Sequence, residues 1–194
     1  MSFRKEIKFK LTLSDQRILK YELLSCGMKC LYPERIVHSS YYDTNDLIFY
    51  NQSNEGILPR KKIRIRNYND DKNFYKETKI TAEEGRYKFS KKIINIIDFQ
   101  KMIDKDYGII IPTLEVTYNR QYFLLNNLRI TFDFLIKFKN LRSSISKEIS
   151  ENYSVMEIKT SDIISEDYIF KIINLRTERF SKYCNGIDAF NRLI

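Results

Sequence analysis

The segment "PRKKIRIRNY" (residues 59–68) brings together the side chains most able to do chemistry. Lys62, Arg64 and Arg66 alternate with isoleucines, a period of two that is typical of a half-buried strand. One face of this strand is aliphatic and the other is cationic. A row of cations on one face suits either water or a polyanion. Guanidinium groups bind phosphate oxygens in bidentate fashion, and lysine adds a point charge.

Other strand-like segments repeat the pattern, with an occasional carboxylate among the cations. Lys8 follows it in "RKEIKFKL", Arg129 in "LRITFDFLIKF" and Glu157 in "VMEIKT". A sheet that closes into a barrel, with a polar interior and helices outside, explains this better than an open sheet with solvated charges. The segment "TLEVTYNRQYF" around Arg120 fits less well, because Asn119 and its neighbours make its second face polar as well.

Size and charge restrict the class of protein. The chain has 194 residues and a net charge of +9, which predicts one domain over 1–194 that attracts anionic partners such as nucleic acids, acidic membranes or phosphorylated small molecules. No apolar run is long enough to span a membrane, and the amino-terminus lacks the apolar region of a secretory signal. Three cysteines are typical of reduced thiols, which predicts a cytoplasmic protein.

Periodicity also predicts how the elements follow one another. We expect a helix that Ser14 caps and that runs to about Cys30, with Cys26 and Cys30 on its apolar stripe. The segments "NFYKETKI" and "RYKFSKKI" predict a hairpin around "AEEG", and "TLEVTYNRQYF" and "LRITFDFLIKF" predict another. His38, in a strand pattern, is expected to be structural. The remaining expectations are a polar loop at Asn51–Gly56, a short helix near Ile97–Lys105, a helix capped by Ser165, and a final helix broken at Asn185–Gly186.

A cavity lined by lysine and arginine would bind a chain of phosphates. A carboxylate among these cations would be unfavourable unless a metal ion joined it, and Mg²⁺ or Mn²⁺ binds carboxylate together with phosphate oxygens. Phosphoryl transfer needs in-line positioning and neutralisation of charge on the equatorial oxygens rather than covalent help from the protein. The sequence contains no Walker A loop, kinase glycine loop or Ser/His/Asp set.

The motifs "RKEIKF", "SSYYDT", "RKKIRIR", "KETK", "YNRQYF", "LRITFD", "VMEIK" and "FSKYCNG" occur in an order that resembles the catalytic domain of the vacuolar transporter chaperone (VTC) family. That family belongs to the triphosphate tunnel metalloenzymes of the wider CYTH group. The resemblance implies an α+β fold, an antiparallel β-barrel (triphosphate tunnel) with a charged lumen and flanking helices. It also implies synthesis of polyphosphate: the γ-phosphate of ATP passes to a growing chain, ADP is released, and Mn²⁺ or Mg²⁺ assists.

The same resemblance assigns roles to individual residues. It implies phosphate contacts or catalytic roles for eight basic residues: Lys8, Arg64, Arg66, Lys79, Arg120, Arg129, Lys159 and Lys182. Glu157 would bind the metal. Further residues share the lumen-facing parity and are assigned to substrate binding: Lys62, Glu6, Glu77, Lys88, Lys92 and Asp133.

The first strand departs from part of the superfamily. Its triphosphatase and cyclase branches have Glu-x-Glu-x-Lys, whereas this chain has Arg4, Glu6 and Lys8. One fewer carboxylate and one more cation favour a polymerase that holds a long polyanion. The alternatives are a triphosphatase of the same superfamily and a non-catalytic module that binds polyphosphate. Nucleic acid is not expected as a partner, because most aromatic residues fall on apolar strand faces. The sequence leaves the oligomeric state open.

Overall fold

The computed structural model describes residues 4–69, 71–93, 100–143, 147–161, 165–173 and 175–192. Strands and helices in these ranges follow one another in this order: β1 (Arg4–Thr12), α1 (Leu13–Ser25), β2 (Lys29–Asp43), α2 (Ile48–Glu55), β3 (Arg60–Tyr68), β4 (Phe74–Ala82), β5 (Gly85–Ile93), β6 (Met102–Asp104), β7 (Gly108–Leu125), β8 (Leu128–Asn140), β9 (Glu148–Ser150), β10 (Tyr153–Ser161), α3 (Glu166–Ile172) and α4 (Lys182–Asn191).

The strands form one sheet in the order β1-β10-β8-β7-β2-β3-β4-β5, with β6 beside β7 and β9 beside β8. Neighbours along this path are antiparallel, as in β1–β10, β10–β8, β2–β3 and β3–β4. Both predicted hairpins are present: β4 and β5 turn at residues 83–84, and β7 and β8 turn at residues 126–127. The α+β class expected from the sequence is therefore confirmed.

Contacts divide the chain into two compact units. The first unit consists of Met1–Arg35, Tyr118–Ile136 and Glu151–Phe180, and the second consists of Ile36–Thr117, Lys137–Ser150 and Ser181–Ile194. Strands β2, β7 and β8 contribute a part to each unit. The single domain over 1–194 stays a prediction.

The first unit has a core on one face of its strands. Alternation sends Ile7, Phe9, Ile130, Phe132 and Ile158 to that face, where they pack with Leu23, Met28, Phe123, Ile169 and Ile173. Helices α1 and α3 supply Leu23 and Ile169 to this core. Burial of each such side chain contributes about 1.5–3 kcal/mol. The opposite face of the same strands is left for charged residues.

Helix α1 begins and ends differently from the expectation. Its N-cap is Thr12, not Ser14, and the Thr12 Oγ1 accepts a hydrogen bond from the Asp15 N–H at 3.0 Å. The helix ends at Ser25 because Gly27, with φ +91°, forms a Schellman motif: Met28 N–H donates to Leu23 O at 2.9 Å. The expected stripe through Cys26 and Cys30 is wrong, since both are exposed and Cys30 lies in β2.

Helix α2 replaces the expected polar loop at Asn51–Gly56. Its own N-cap residue, Leu47, makes no side-chain cap. The cap comes instead from Asp43 at the end of β2, whose buried carboxylate accepts from Phe49 N–H at 2.8 Å and Tyr50 N–H at 2.9 Å. Phe49 also packs into the core of the second unit with Tyr42, Ile63, Ile65 and Ile110. The local sequence pattern did not predict this helix, because the residue that caps it lies outside the segment.

Two further expectations about elements are wrong. Of the expected helix near Ile97–Lys105, residues 97–99 lie outside the described residues, and Met102–Asp104 is strand β6, paired with Gly108–Ile110. Lys61 stabilises this turn by donating to Asp104 at 2.9 Å and to Asp106 at 2.8 Å.

The final helix is also different from the expectation. α4 runs unbroken from Lys182 to Asn191 through Gly186. A Cβ at Gly186 would overlap the Leu114 side chain and lie 2.9 Å from Phe138 Cδ1. Gly186 therefore allows α4 to pack closely against Leu114 and Phe138, and it does not break the helix. The Ser165 cap of α3 is confirmed, since its side chain accepts from the Tyr168 N–H.

Candidate functional site

Charged residues of the first unit share the sheet face opposite its core. Their positions follow from the register: Lys8 pairs with Glu157, and Glu6 pairs with Lys159. On the next strand Arg129 lies opposite Lys159. We call this set the Glu157 cluster; its members are Glu6, Lys8, Arg120, Arg129, Thr131, Asp133, Glu157 and Lys159.

Carboxylates and cations alternate within the Glu157 cluster. Lys159 Nζ lies 2.6 Å from Glu157 Oε1 and 3.8 Å from Glu6 Oε2, and Lys8 Nζ lies 2.9 Å from Glu6 Oε1. Glu157 is only 7% exposed. Burial alone would raise its pKa, but the charges of Lys159, Arg120 and Lys8 hold the pKa of Glu157 well below its ordinary value. The carboxylate therefore stays ionised at neutral pH.

Arg120 is fixed by a bidentate ion pair. Its Nε lies 2.5 Å from Asp133 Oδ1 and its Nη2 lies 2.6 Å from Asp133 Oδ2, and Asp133 is fully buried.

The second face of β7 is polar because its side chains contact neighbouring elements. Gln121 accepts from Lys20 of α1 at 2.9 Å and donates to Glu34 at 2.8 Å, so the face links the strand to α1 and β2.

Two buried polar atoms of the Glu157 cluster have no hydrogen-bond partner among the described residues. They are Arg129 Nε and Thr131 Oγ1. A buried donor without a partner costs about 1–3 kcal/mol, and more for a charged group. Arg129 carries its positive charge on this face, and phosphate is an anion that guanidinium groups bind well.

Charged residues of the second unit likewise share one sheet face. Arg64 lies opposite Tyr41 on β2 and Glu77 on β4, and Lys79 lies opposite Lys62 and Lys88. We call this set the Glu77 cluster; its members are Tyr41, Lys62, Arg64, Arg66, Glu77, Lys79 and Lys88.

Glu77 is the centre of its cluster. Its Oε2 accepts from Arg64 Nε at 2.7 Å and Nη2 at 2.5 Å, and lies 3.8 Å from Arg66 Nη1, while its Oε1 lies 2.5 Å from Lys88 Nζ. Burial raises the pKa of Glu77, but the charges of Arg64, Arg66 and Lys88 outweigh it and hold the pKa well below its ordinary value.

Two further contacts hold Arg66 and Lys62 of the Glu77 cluster in place. Arg66 Nε donates to Ser39 Oγ at 2.9 Å, and Lys62 Nζ donates to Ser181 Oγ at 2.8 Å. Ser181 is also the N-cap of α4, whose first residue is Lys182. Lys92 lies opposite Tyr75 and is exposed.

Tyr41 is a member that the sequence reasoning missed. Its hydroxyl accepts from Arg64 Nη1 at 2.9 Å, and its ring stacks on Tyr183 with centroids 5.0 Å apart. Burial raises the pKa of Tyr41, yet the charges of Arg64, Arg66 and Lys62 bring it below its ordinary value. In "SSYYDT" the alternation indicates that Ser39 and Tyr41 share one face of β2. The register between β2 and β3 was needed to place that face beside Arg64 and Arg66. His38, near Thr117 Oγ1 at 3.3 Å, lies in neither cluster.

Metal binding can be tested against the donor set. Within the described ranges, no three His, Cys, Asp or Glu side chains converge in a way that could hold an ion. Glu157 and Glu6 are two carboxylates of the Glu157 cluster that Lys159 bridges. Mg²⁺ typically uses one or two carboxylates and completes its shell with phosphate oxygens and water. The residues fit a metal that arrives with phosphate, and they do not fit an all-protein metal centre.

Among the described residues, no helix has the length and apolar character that a membrane span requires.

No curated protein sequence matches the chain significantly. Solved structures do match. A conserved hypothetical protein from Pyrococcus furiosus has a TM-score of 0.59 at 18% identity, with 94% of this chain and 99% of that chain covered.

Two other solved structures are similar. A proposed adenylate cyclase from Vibrio parahaemolyticus gives a TM-score of 0.56 at 14% identity, with 93% of this chain and 95% of that chain covered. HpAC1 from Hippeastrum, a proposed adenylyl cyclase with a dominant triphosphatase activity, gives 0.57 at 14% identity, with 96% of each chain covered. These likenesses confirm the expected fold, the antiparallel CYTH-like triphosphate tunnel fold.

The VTC domain model matches residues 3–108 and 90–191, which together cover nearly the whole sequence. The resemblance inferred from the ordered motifs is therefore confirmed, and this chain belongs to the VTC domain family.

Proposed function

We propose that this chain is a metal-dependent polyphosphate polymerase. It would transfer the γ-phosphoryl group of ATP to the end of a polyphosphate chain: the bond from the γ-phosphorus to the bridging oxygen breaks, a bond to the terminal chain oxygen forms, and ADP leaves. The observation that carries the proposal is the sheet face on which Lys8, Arg129 and Lys159 lie around the buried Glu157. Membership of the VTC domain family supports the same substrate class.

The cations of both clusters would bind and neutralise phosphate oxygens. Arg64 and Arg66 place two guanidinium groups on one sheet face, and each guanidinium carries five N–H donors. Lys8 and Lys159 add point charges beside Glu157. Neutralisation of the equatorial oxygens is the main requirement of phosphoryl transfer.

Glu157, with Glu6, would hold Mg²⁺ or Mn²⁺ together with phosphate oxygens. When bound, the ion supplies Lewis-acid stabilisation of the charge that develops on the transferring group. Glu157 itself would orient that ion and keep Lys159 in place through their 2.6 Å contact.

The two possible acceptors of the phosphoryl group, phosphate and water, differ in ionisation. A terminal phosphate oxygen is largely ionised at neutral pH and needs no general base. Water must lose a proton, and a carboxylate with a strongly lowered pKa is a poor acceptor. Glu77 and Glu157 both have lowered pKa values. A triphosphatase is the second candidate, because HpAC1, which shares the fold, has a dominant triphosphatase activity.

The deciding experiment incubates the purified protein with ATP and Mn²⁺, with and without a short polyphosphate primer, and resolves the products by gel electrophoresis. We expect a ladder of long chains that Glu157→Gln abolishes. Glu148→Gln is the matched control, because Glu148 forms an exposed ion pair with Lys137 at 2.9 Å. Orthophosphate without chains would indicate a triphosphatase, and neither product would indicate a module that only binds polyphosphate.

Binding can be measured separately from turnover. Lys8→Ala, Arg64→Ala and Arg66→Ala should each weaken tripolyphosphate binding while the fold is retained. Tripolyphosphate should also raise the melting temperature of the wild-type protein, since a ligand at 100 times its Kd adds about 2.7 kcal/mol to the free energy of unfolding. Unchanged binding in all three variants would contradict the proposed phosphate contacts.

A further inference from the structure

Glu77 differs from the other residues of its cluster because it is an anion among cations. It is 4% exposed. Its carboxylate lies 2.5 Å from a nitrogen of Arg64, 2.5 Å from Lys88 Nζ and 3.8 Å from Arg66 Nη1. One buried negative charge therefore faces three positive charges on the same sheet face.

These contacts use the donors that a phosphate ligand would need. Both the Nε and the Nη2 of Arg64 point to Glu77 Oε2, and Nη1 points to the Tyr41 hydroxyl. A phosphate oxygen that binds Arg64 must share these N–H groups with Glu77 or replace it. A bound phosphate also places its negative charge near that of Glu77, and like charges at short range repel strongly where water is scarce.

The same carboxylate stabilises the protein before phosphate binds. Three cations held close together without an anion would repel one another, and a buried charge without compensation is strongly destabilising. Glu77 provides that compensation within the chain, and its contacts hold Arg64 and Lys88 in defined positions.

We propose that Glu77 is a positioning residue that acts as an internal counter-ion: it holds Arg64, Arg66 and Lys88 in place without phosphate, and it competes with phosphate for them. The inference rests on the proposed function and concerns how tightly the Glu77 cluster binds phosphate. By competing with phosphate, Glu77 would keep the affinity low enough for a long polyanion to leave these cations after each transfer.

Glu77→Gln separates charge from shape, because glutamine keeps an acceptor oxygen for Arg64 and loses the negative charge. We expect a lower melting temperature without ligand, together with tripolyphosphate binding that is about tenfold tighter by titration calorimetry, since a nearby like charge has been removed. The affinity should also depend more steeply on salt concentration, because removal of the carboxylate increases the net positive charge that the ligand meets, and salt screens that attraction. Glu148→Gln removes the same charge from an exposed pair and should change neither quantity.

A role in stability alone predicts a different result. The melting temperature would fall, but the affinity of folded Glu77→Gln would be equal to or weaker than that of the wild type, and this would overturn the inference. If the variant unfolds without ligand, tripolyphosphate should restore a cooperative unfolding transition, and failure to do so would also overturn it. A wild-type protein that binds no tripolyphosphate would contradict the proposed function first, and this inference with it.

Discussion

At the scale of single residues, the charged faces of both units combine buried carboxylates with cations. Asp133 accepts two hydrogen bonds from Arg120, and Glu77 lies against Arg64 and Lys88. Alternation in the sequence predicted which charged side chains of a single strand share a face. It could not predict these partners, because a partner depends on the register between strands that are far apart in the chain. Thr131 was expected on the face of Arg129 and Asp133 but was not named as a site residue.

Asp133→Asn tests the energetic importance of one such partner. The substitution keeps an acceptor for Arg120 but removes the charge, so that a largely buried guanidinium group loses its bidentate counter-ion. We expect the free energy of unfolding to fall by about 3 kcal/mol, measured by urea denaturation. Glu148→Gln, in an exposed pair, should cost less than about 1 kcal/mol. Equal effects for the two variants would contradict the expectation.

At the scale of elements, the strands were easier to predict than the helices. Period-two alternation predicted β1, β3 and both hairpins, since a strand shows its faces directly in the sequence. Helices depended on contacts from outside the segment: Asp43 caps α2, and Gly27 ends α1. The break expected in α4 was wrong because the sequence does not reveal that Gly186 lies against Phe138.

A graded series at Gly186 tests this close packing. Gly186→Val should lower the free energy of unfolding by about 1–3 kcal/mol, because its side chain must displace Leu114 and the ring of Phe138. In Gly186→Ala, a gain in helix propensity of about 1 kcal/mol offsets part of the strain. The measurement is thermal or urea unfolding of both variants, and a Val variant as stable as the wild type would show that the helix can move away freely.

At the scale of the whole molecule, the fold was predictable because eight motifs occur in the order of one family. The VTC domain match and the similar solved structures confirm that prediction. The division of contacts into two units was not visible, since no linker separates them: β2, β7 and β8 pass through both. Site assignments in each unit remain predictions until binding is measured.

Acid should destabilise the whole protein through its buried carboxylates. Glu77 and Glu157 have pKa values well below that of an unfolded glutamate, about 4.3. Their contribution to stability is therefore present above that value and is lost as the pH falls toward their folded pKa values. We expect the free energy of unfolding to decrease as the pH falls below about 5. Glu77→Gln should show a shallower decrease, and an identical slope would contradict the role of Glu77 in it.

The contact between Arg64 and the Tyr41 hydroxyl gives the protein an optical reporter of its own. The chain has 14 tyrosines and no tryptophan, so phenol groups dominate its near-ultraviolet absorption. Nearby cations lower the pKa of Tyr41, whereas the pKa of Tyr50 is raised to about 12. Phosphate would neutralise those cations and raise the pKa of Tyr41. Tripolyphosphate added at a pH at which Tyr41 is partly ionised should therefore reduce the phenolate absorbance, and Tyr41→Phe should abolish that change. Occupancy of the Glu77 cluster could then be followed by spectrophotometry, without a label.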